Sequence, residues 1–241
     1  MGAMTPRTTG SSRATRNRER PRASHSMDAV ISEAVALMDE GGDSALTFRA
    51  LGARLGGGAT SIYWYVSNKD ELRDKASDYV IGDVLEQTEE FIGDADPIDN
   101  LRAMALVAFD SIAARPWLAD YFMRNTISQP NSLQLYERFG QQVLRLELTP
   151  LQSFHAVSAV LGFVVGSAAD IGQQPPQEVL DGKVSRQEFL EHAVAQWRAL
   201  DPGEFPFTHH ILEEFAEHED RDQFAAGLDL LLAGLRLQAT S

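Results

Sequence analysis

Apolar positions recur at helical spacing along almost the whole chain, and nowhere do they alternate as in a strand. Val30, Ile31, Ala34, Val35, Leu37 and Met38 mark a first amphipathic helix over about 28–39, ended by Gly41-Gly42. Phe48, Leu51 and Leu55 mark a short second helix, with Thr47 as its N-cap. Gly56-Gly57-Gly58 interrupt it, because three glycines cannot continue a helix cheaply and tolerate the left-handed backbone of a tight turn. A third helix starts at Ala59, capped by Thr60 or Ser61, and turns Ile62 and Val66 toward the core. Ser67 with Asp70, and Asn68 with Glu71, match a capping box opening a fourth helix from Lys69 toward Phe91.

Asp96-Pro97 and Thr149-Pro150 each place a cap before a proline at the first helical position, predicting helices over 97–114 and 150–171. Others are expected at 116–124, 131–147, 185–200, 207–218 and 220–238, with loops at 172–184 and 201–206. The fold class is therefore all-α: a three-helix N-terminal head and a larger helical body. The expected domains are a disordered basic arm at 1–26, the head at 27–75 and the body at 76–241.

Two short helices around a glycine turn are the sequence form of a helix-turn-helix, whose second helix enters the DNA major groove. Base-edge contact then falls to Ala59, Thr60, Ser61 and Tyr65. None offers a bidentate Arg–guanine or Asn–adenine pair, but Ala59 and the Thr60 methyl suit a thymine methyl. Thr47, Arg49, Tyr63 and Lys69 are the expected phosphate contacts. Trp64 is expected in the core of the head.

A net charge of −14 sits poorly with a DNA partner until the chain is divided. Residues 1–75 hold 11 Lys/Arg against 9 Asp/Glu, while residues 76–241 hold 10 against 26. Six arginines face one glutamate within residues 1–27, in a stretch without apolar period, which suits an arm laid on DNA. Affinity should then fall steeply with salt.

The chain has no cysteine, so disulfides, thiolate metal sites and cysteine nucleophiles are excluded, and a reducing cytoplasm is the expected location. The N-terminus lacks the apolar core of a secretory signal. No membrane span is expected, since the longest apolar stretch, 157–169, is short and carries Ser158, Gly162 and Gly166. Neither a Gly-x-Ser-x-Gly elbow nor a phosphate-binding glycine loop is present, so the chain does not read as an enzyme, and no cofactor is expected. His210, Glu214 and His218 span two helical turns, too far for one ion, and no metal site is expected.

Leu46, Thr47, Arg49, Leu51, Leu55 and Gly56, followed by Ile62-Tyr63-Trp64, Val66, Asn68-Lys69 and Leu72, resemble the TetR family of transcriptional regulators over about 27–75. The resemblance implies a repressor that binds a palindromic operator in double-stranded DNA as a homodimer and lets go when a small-molecule effector enters the body. One departure stands out: Gly57 lies where the family usually has an apolar residue, and Gly58 adds slack. The alternative is therefore a helical small-molecule-binding protein with a degenerate DNA-binding head.

Helices 150–171 and 220–238 are apolar on more than one face, so each lies either in the centre of the body or against a second copy. The resemblance favours the second, since TetR-like proteins pair through their last two long helices. Phe109, Trp117, Phe122, Phe154, His155 and Phe163 are the candidate pocket-lining residues. Asp110, His155 and Asp170 sit on otherwise apolar helices and need partners. The effector's identity is open; coupling to the head would run along the helix from Lys69 to Phe91.

Overall fold

The computed structural model describes residues 25–93, 95–124, 129–171 and 184–240. Nearly all of the expected arm and of the expected 172–184 loop lies outside the described residues.

α1 spans Met27–Ala45 and opens on Ser26, whose Oγ accepts from the Ala29 N–H at 3.1 Å. Its regular part stops at Gly41-Gly42, where Gly42 takes φ +66°. α2 spans Phe48–Arg54, with Thr47 Oγ1 accepting from Ala50 N at 3.1 Å as expected. α3 is the four residues Ala59–Ile62, and α4 spans Lys69–Thr88. Asn68 rather than Ser67 caps α4: its Oδ1 accepts from Glu71 N, and Glu71 reaches back to the Ser67 N–H, both at 2.8 Å. α4 passes unbroken from head to body and ends in a 3₁₀ turn, Glu89–Ile92, so the boundary expected at residue 75 falls inside one rigid helix.

The body adds α5 (Pro97–Ala113), α6 (Pro116–Arg124), α7 (Pro130–Leu144), α8 (Pro150–Ile171), α9 (Arg186–Arg198), α10 (Pro206–His210), α11 (Leu212–Glu217) and α12 (Asp220–Ala239). The single helix expected over 207–218 is two, because Ile211 leaves helical geometry at φ −103°, ψ 9°. His210, Glu214 and His218 thus do not share a helix. Among the described residues there is no strand.

One cluster of buried residues runs from Val30 of α1 through α4 and α5 to Leu235 of α12. Phe224 of α12 stacks on Phe109 of α5 at 3.9 Å and lies 5.4 Å from Phe163 of α8. A Cβ on Gly227 would meet Phe163 at 2.6 Å, so glycine is what lets α12 close on that ring. α5 and α12 are also laced by three antiparallel ion pairs: Asp96–Arg236 at 2.9 and 3.1 Å, Arg102–Asp229 at 2.6 and 3.1 Å, and Asp110–Arg221 at 2.9 and 3.0 Å. Solvent screens exposed pairs of this kind, so each adds little stability by itself. Their alternating polarity and two-point geometry fix the register of the helices.

α8 and α12 do not lie in the centre of the body. α8 buries Val157, Val160 and Val164 but leaves Leu151, Phe154, Gly162 and Gly166 outside; α12 buries Phe224, Leu228 and Leu232 but leaves Ala226, Leu230 and Ala233 outside. By length and composition alone Pro150–Asp170 is apolar enough to cross a membrane, because its interruptions are small and uncharged and barely lower its hydropathy; a helix covered by protein passes the same test.

Candidate functional site

α2 and α3 meet at a narrow turn. A Cβ on Gly52 would lie 2.7 Å from the carbonyl carbon of Gly58, so the two backbones touch there. Gly56 takes φ +68°, a conformation L side chains rarely adopt, and Gly57 N donates to Gly52 O at 2.8 Å. Gly58 occupies the cap position of α3 with no side-chain bond; Ser61 Oγ instead donates back to the Gly58 carbonyl at 2.6 Å. Neither Thr60 nor Ser61 is therefore the cap, since the close approach of Gly52 starts α3 earlier than hydroxyl residues alone suggest.

Ile62 and Val66 are buried as expected. Trp64 is not in the core: it is 85% exposed. Ile62 and Val66, four apart, take the inward face, and the residue midway between them points away. Tyr63 is exposed and packs edge-on against Phe48 at 4.8 Å. Tyr65 is half-buried and donates its hydroxyl to the His25 carbonyl at 2.7 Å, which takes it away from the base-contact role expected of it. That bond places the end of the arm beside α3. Thr47, Arg49 and Thr60 are exposed, and Ala59 and Ser61 half-exposed.

The head's cations are mostly spoken for. Lys69 Nζ donates to the Asp43 carbonyl at 2.7 Å and to its carboxylate at 2.9 Å, a pairing that competes with the expected phosphate contact. Arg73 reaches Asp43 at 3.5 Å and Asp70 at 2.8 Å. Arg54 pairs with Glu40 and Glu33, and Lys75 with Glu71. Partial burial pushes the Asp43 carboxyl up, but Lys69 and Arg73 outweigh it and hold it below its usual range. Among the described head residues, Arg49 is the one cation outside an ion pair.

In the body, α5, α6, α7 and α8 line a half-open cavity of about 420 Å³, a size that suits a small organic ligand. Ile112, Phe122, Leu135, Leu161 and Val165 supply apolar walls; Ser132 and Tyr136 of α7 supply the hydroxyls. Of the six expected lining residues only Phe122 lines it. Phe109 and Phe163 are taken up by the Phe224 stack, and Phe154 and His155 are exposed at the start of α8. Asp110 has its partner in Arg221, across the helix pair. Trp117 is buried and donates its indole N–H to Asp39 of α1 at 2.9 Å.

Sequence reasoning missed Ser132, Tyr136 and the carboxylate behind them. Asp78, a buried residue of α4, accepts from Ser132 N at 2.9 Å, Ser132 Oγ at 3.0 Å and Asn131 N at 3.2 Å, so it sits on the first turn of α7. Asn131 Nδ2 also donates to the Asp78 carbonyl at 2.9 Å. Tyr121 OH lies 3.1 Å from Ser132 Oγ; burial, only partly offset by the Ser132 hydrogen bond, pushes this phenol up. Farther along, Arg138 of α7 grips the end of α4 through the Leu85 carbonyl and Thr88 Oγ1. The one sequence signal for Asp78 was an acid beside Ala76 and Val80 on an inward face.

Comparison with known proteins agrees with this architecture. Residues 30–76 match the family described as bacterial regulatory proteins, tetR family, and residues 92–239 match the tetracyclin repressor-like C-terminal domain. The chain is 30% identical to an HTH-type transcriptional regulator of Saccharopolyspora erythraea, over 88% of this chain and 85% of the relative. It is 27% identical to the HTH-type transcriptional repressor DrrR1 of Streptomyces coeruleorubidus, over 90% and 79%. The transcriptional regulator SCO7222 of Streptomyces coelicolor superposes with a TM-score of 0.75 at 31% identity, over 89% and 99% of the two chains. ActR of the same organism, in complex with actinorhodin, shares the fold at a TM-score of 0.75 and 21% identity, over 91% and 100%.

Proposed function

The chain belongs to the TetR family of bacterial transcriptional regulators, and from that premise we propose that it is a homodimeric repressor that releases a palindromic operator when a small molecule fills its body. It is a regulator and not an enzyme. The reading rests on one observation above all: a short segment, Ala59–Trp64, presents Thr60, Tyr63 and Trp64 to solvent on a head that the unbroken α4 joins to a body containing a ligand-sized cavity.

Thr60 and Ser61 would meet base edges, with Tyr63 and Trp64 flanking them; Thr47 and Arg49 would meet phosphates. The apolar faces that α8 and α12 leave outside would cover one another across a two-fold axis, which sets two heads on two half-sites. A ligand that binds better to a splayed pair of heads would then lower operator affinity. DrrR1 is named as a repressor and ActR is known with a bound small molecule, and both lend weight to the same cycle here. The protein would act in the cytoplasm.

A silent head on a ligand-binding body is the second reading, favoured by the pairing of Arg54, Lys69, Arg73 and Lys75 with acids. Selection of duplexes from a random pool by the full chain at low salt separates the two. A repressor enriches an inverted repeat; a silent head enriches nothing.

A further inference from the structure

We propose that the cavity takes an uncharged, mainly apolar ligand, and that its occupancy reaches the head through Asp78, the α4 carboxylate seated on the first turn of α7. The inference deepens the ligand-released repressor reading and rests on it.

The ligand class follows from the walls. Among the described residues no charged side chain lines the cavity, and a charge placed there without a partner would lose its hydration uncompensated. The Tyr136 hydroxyl has no partner among the described residues, so it is available to donate or accept. The Ser132 proton is committed to Asp78, so Tyr121 OH donates to Ser132 Oγ and one lone pair is left there to accept from a ligand. A hydroxyl on an otherwise apolar ring system fits both.

The relay follows from what holds Asp78. Ser132 lines the cavity on one side and binds α4 on the other. Two of the bonds to the Asp78 carboxylate come from backbone N–H groups of the first turn of α7, so that turn cannot shift without carrying α4 along or stranding a buried charge. A ligand wedged between α7 and α8 pushes on that turn. Asp78 is thus a positioning residue: it touches no ligand, and it fixes α4, which carries the head.

The test uses the full chain and three fluorescent probes on one ring system: neutral N-phenyl-1-naphthylamine, its anionic sulfonate 8-anilino-1-naphthalenesulfonate, and cationic N-(1-naphthyl)ethylenediamine. The neutral probe should bind at least about tenfold more tightly than either charged one, and Leu135→Trp, which fills the cavity, should abolish its binding. Hydrogen exchange of residues 69–88 should quicken by about threefold or more when the neutral probe is added. In Ser132→Ala the probe should still bind while that quickening shrinks; Ser132→Thr should restore it. In Asp78→Asn α4 should exchange fast with or without probe.

Equal binding of a charged probe, or retained binding in Leu135→Trp, overturns the ligand class and the site. An undiminished α4 response in Ser132→Ala overturns the relay, even if Asp78→Asn does not fold. Exchange is read without DNA, so a failed duplex selection would sink the repressor reading while this result stood on its own.

Discussion

Trp117 of α6 donates its indole N–H to Asp39 of α1 at 2.9 Å, and Arg115 approaches the same carboxylate at 3.3 Å. The head is therefore joined to the body at two places, through α4 and through this contact. Trp117→Phe keeps most of the buried ring and removes one bond to a charged acceptor, a loss of about 1.5–3 kcal/mol. Calorimetry should show the melting temperature fall by several degrees. A melting temperature equal to that of the parent would mean the contact carries no energy.

The glycine turn predicts a graded series. Gly58→Ala meets open space at a negative φ and should be nearly neutral. Gly56→Ala, at φ +68°, should cost about 1–2 kcal/mol. Gly52→Ala must push α3 off α2 and should be the most damaging of the three. Thermal unfolding of the three variants gives the order directly.

Removing residues 1–24 deletes six arginines and leaves Arg49 as the one unpaired cation among the described head residues. Binding to a selected duplex should weaken by an order of magnitude or more near 0.1 M salt, and the slope of log K against log salt should fall by several units, about 0.9 per lost phosphate contact. Titrations at four salt concentrations check this. An unchanged slope would remove the arm from the interface.

Acid should loosen the α5–α12 pairing. The Arg236 hydrogen bond and the Ile98 N–H hold the Asp96 carboxyl below its usual range, and Arg102 does so for Asp229. A carboxyl depressed in the folded state contributes stability that is complete above its unfolded value, about 3.9, and is lost as pH falls through the folded value. The melting temperature should be level from neutrality to about pH 5 and drop below about pH 4. Asp96→Asn, which keeps the helix cap, should make that drop shallower.

Leu230→Asp and Phe154→Ser place polar groups on the outer faces of α12 and α8, where Leu230 is 78% and Phe154 58% exposed in the single chain. Analytical ultracentrifugation should show the double variant as one chain and the parent as two. A variant that still sediments as a pair would put the interface elsewhere.

The helices were legible because each has a local cause: Thr47, Asn68 and Asp96 cap, Gly41-Gly42 stop, and Ile62 with Val66 face inward. The same spacing could have placed Trp64 outside, had the face of Ile62 and Val66 been weighed above the general preference of tryptophan for burial. The cavity was not legible. Whether Phe109 lines a void or stacks on Phe224 depends on residues 115 positions apart, and no local pattern records that distance. Asp78 likewise meets Asn131 and Ser132 only because α7 packs lengthwise along α4, with Arg138 meeting Leu85 and Thr88 farther on.

The bond from Tyr65 to His25 ties the root of the arginine-rich arm to the recognition segment. On the proposed docking, residence on the chromosome and choice of sequence would fall to neighbouring but separate stretches of one polypeptide. Arginines gained or lost ahead of residue 25 would change how long the protein lingers on any duplex, while Thr60 and Ser61 would drift to follow a new operator. A lineage can retune its search of the genome without relearning its target.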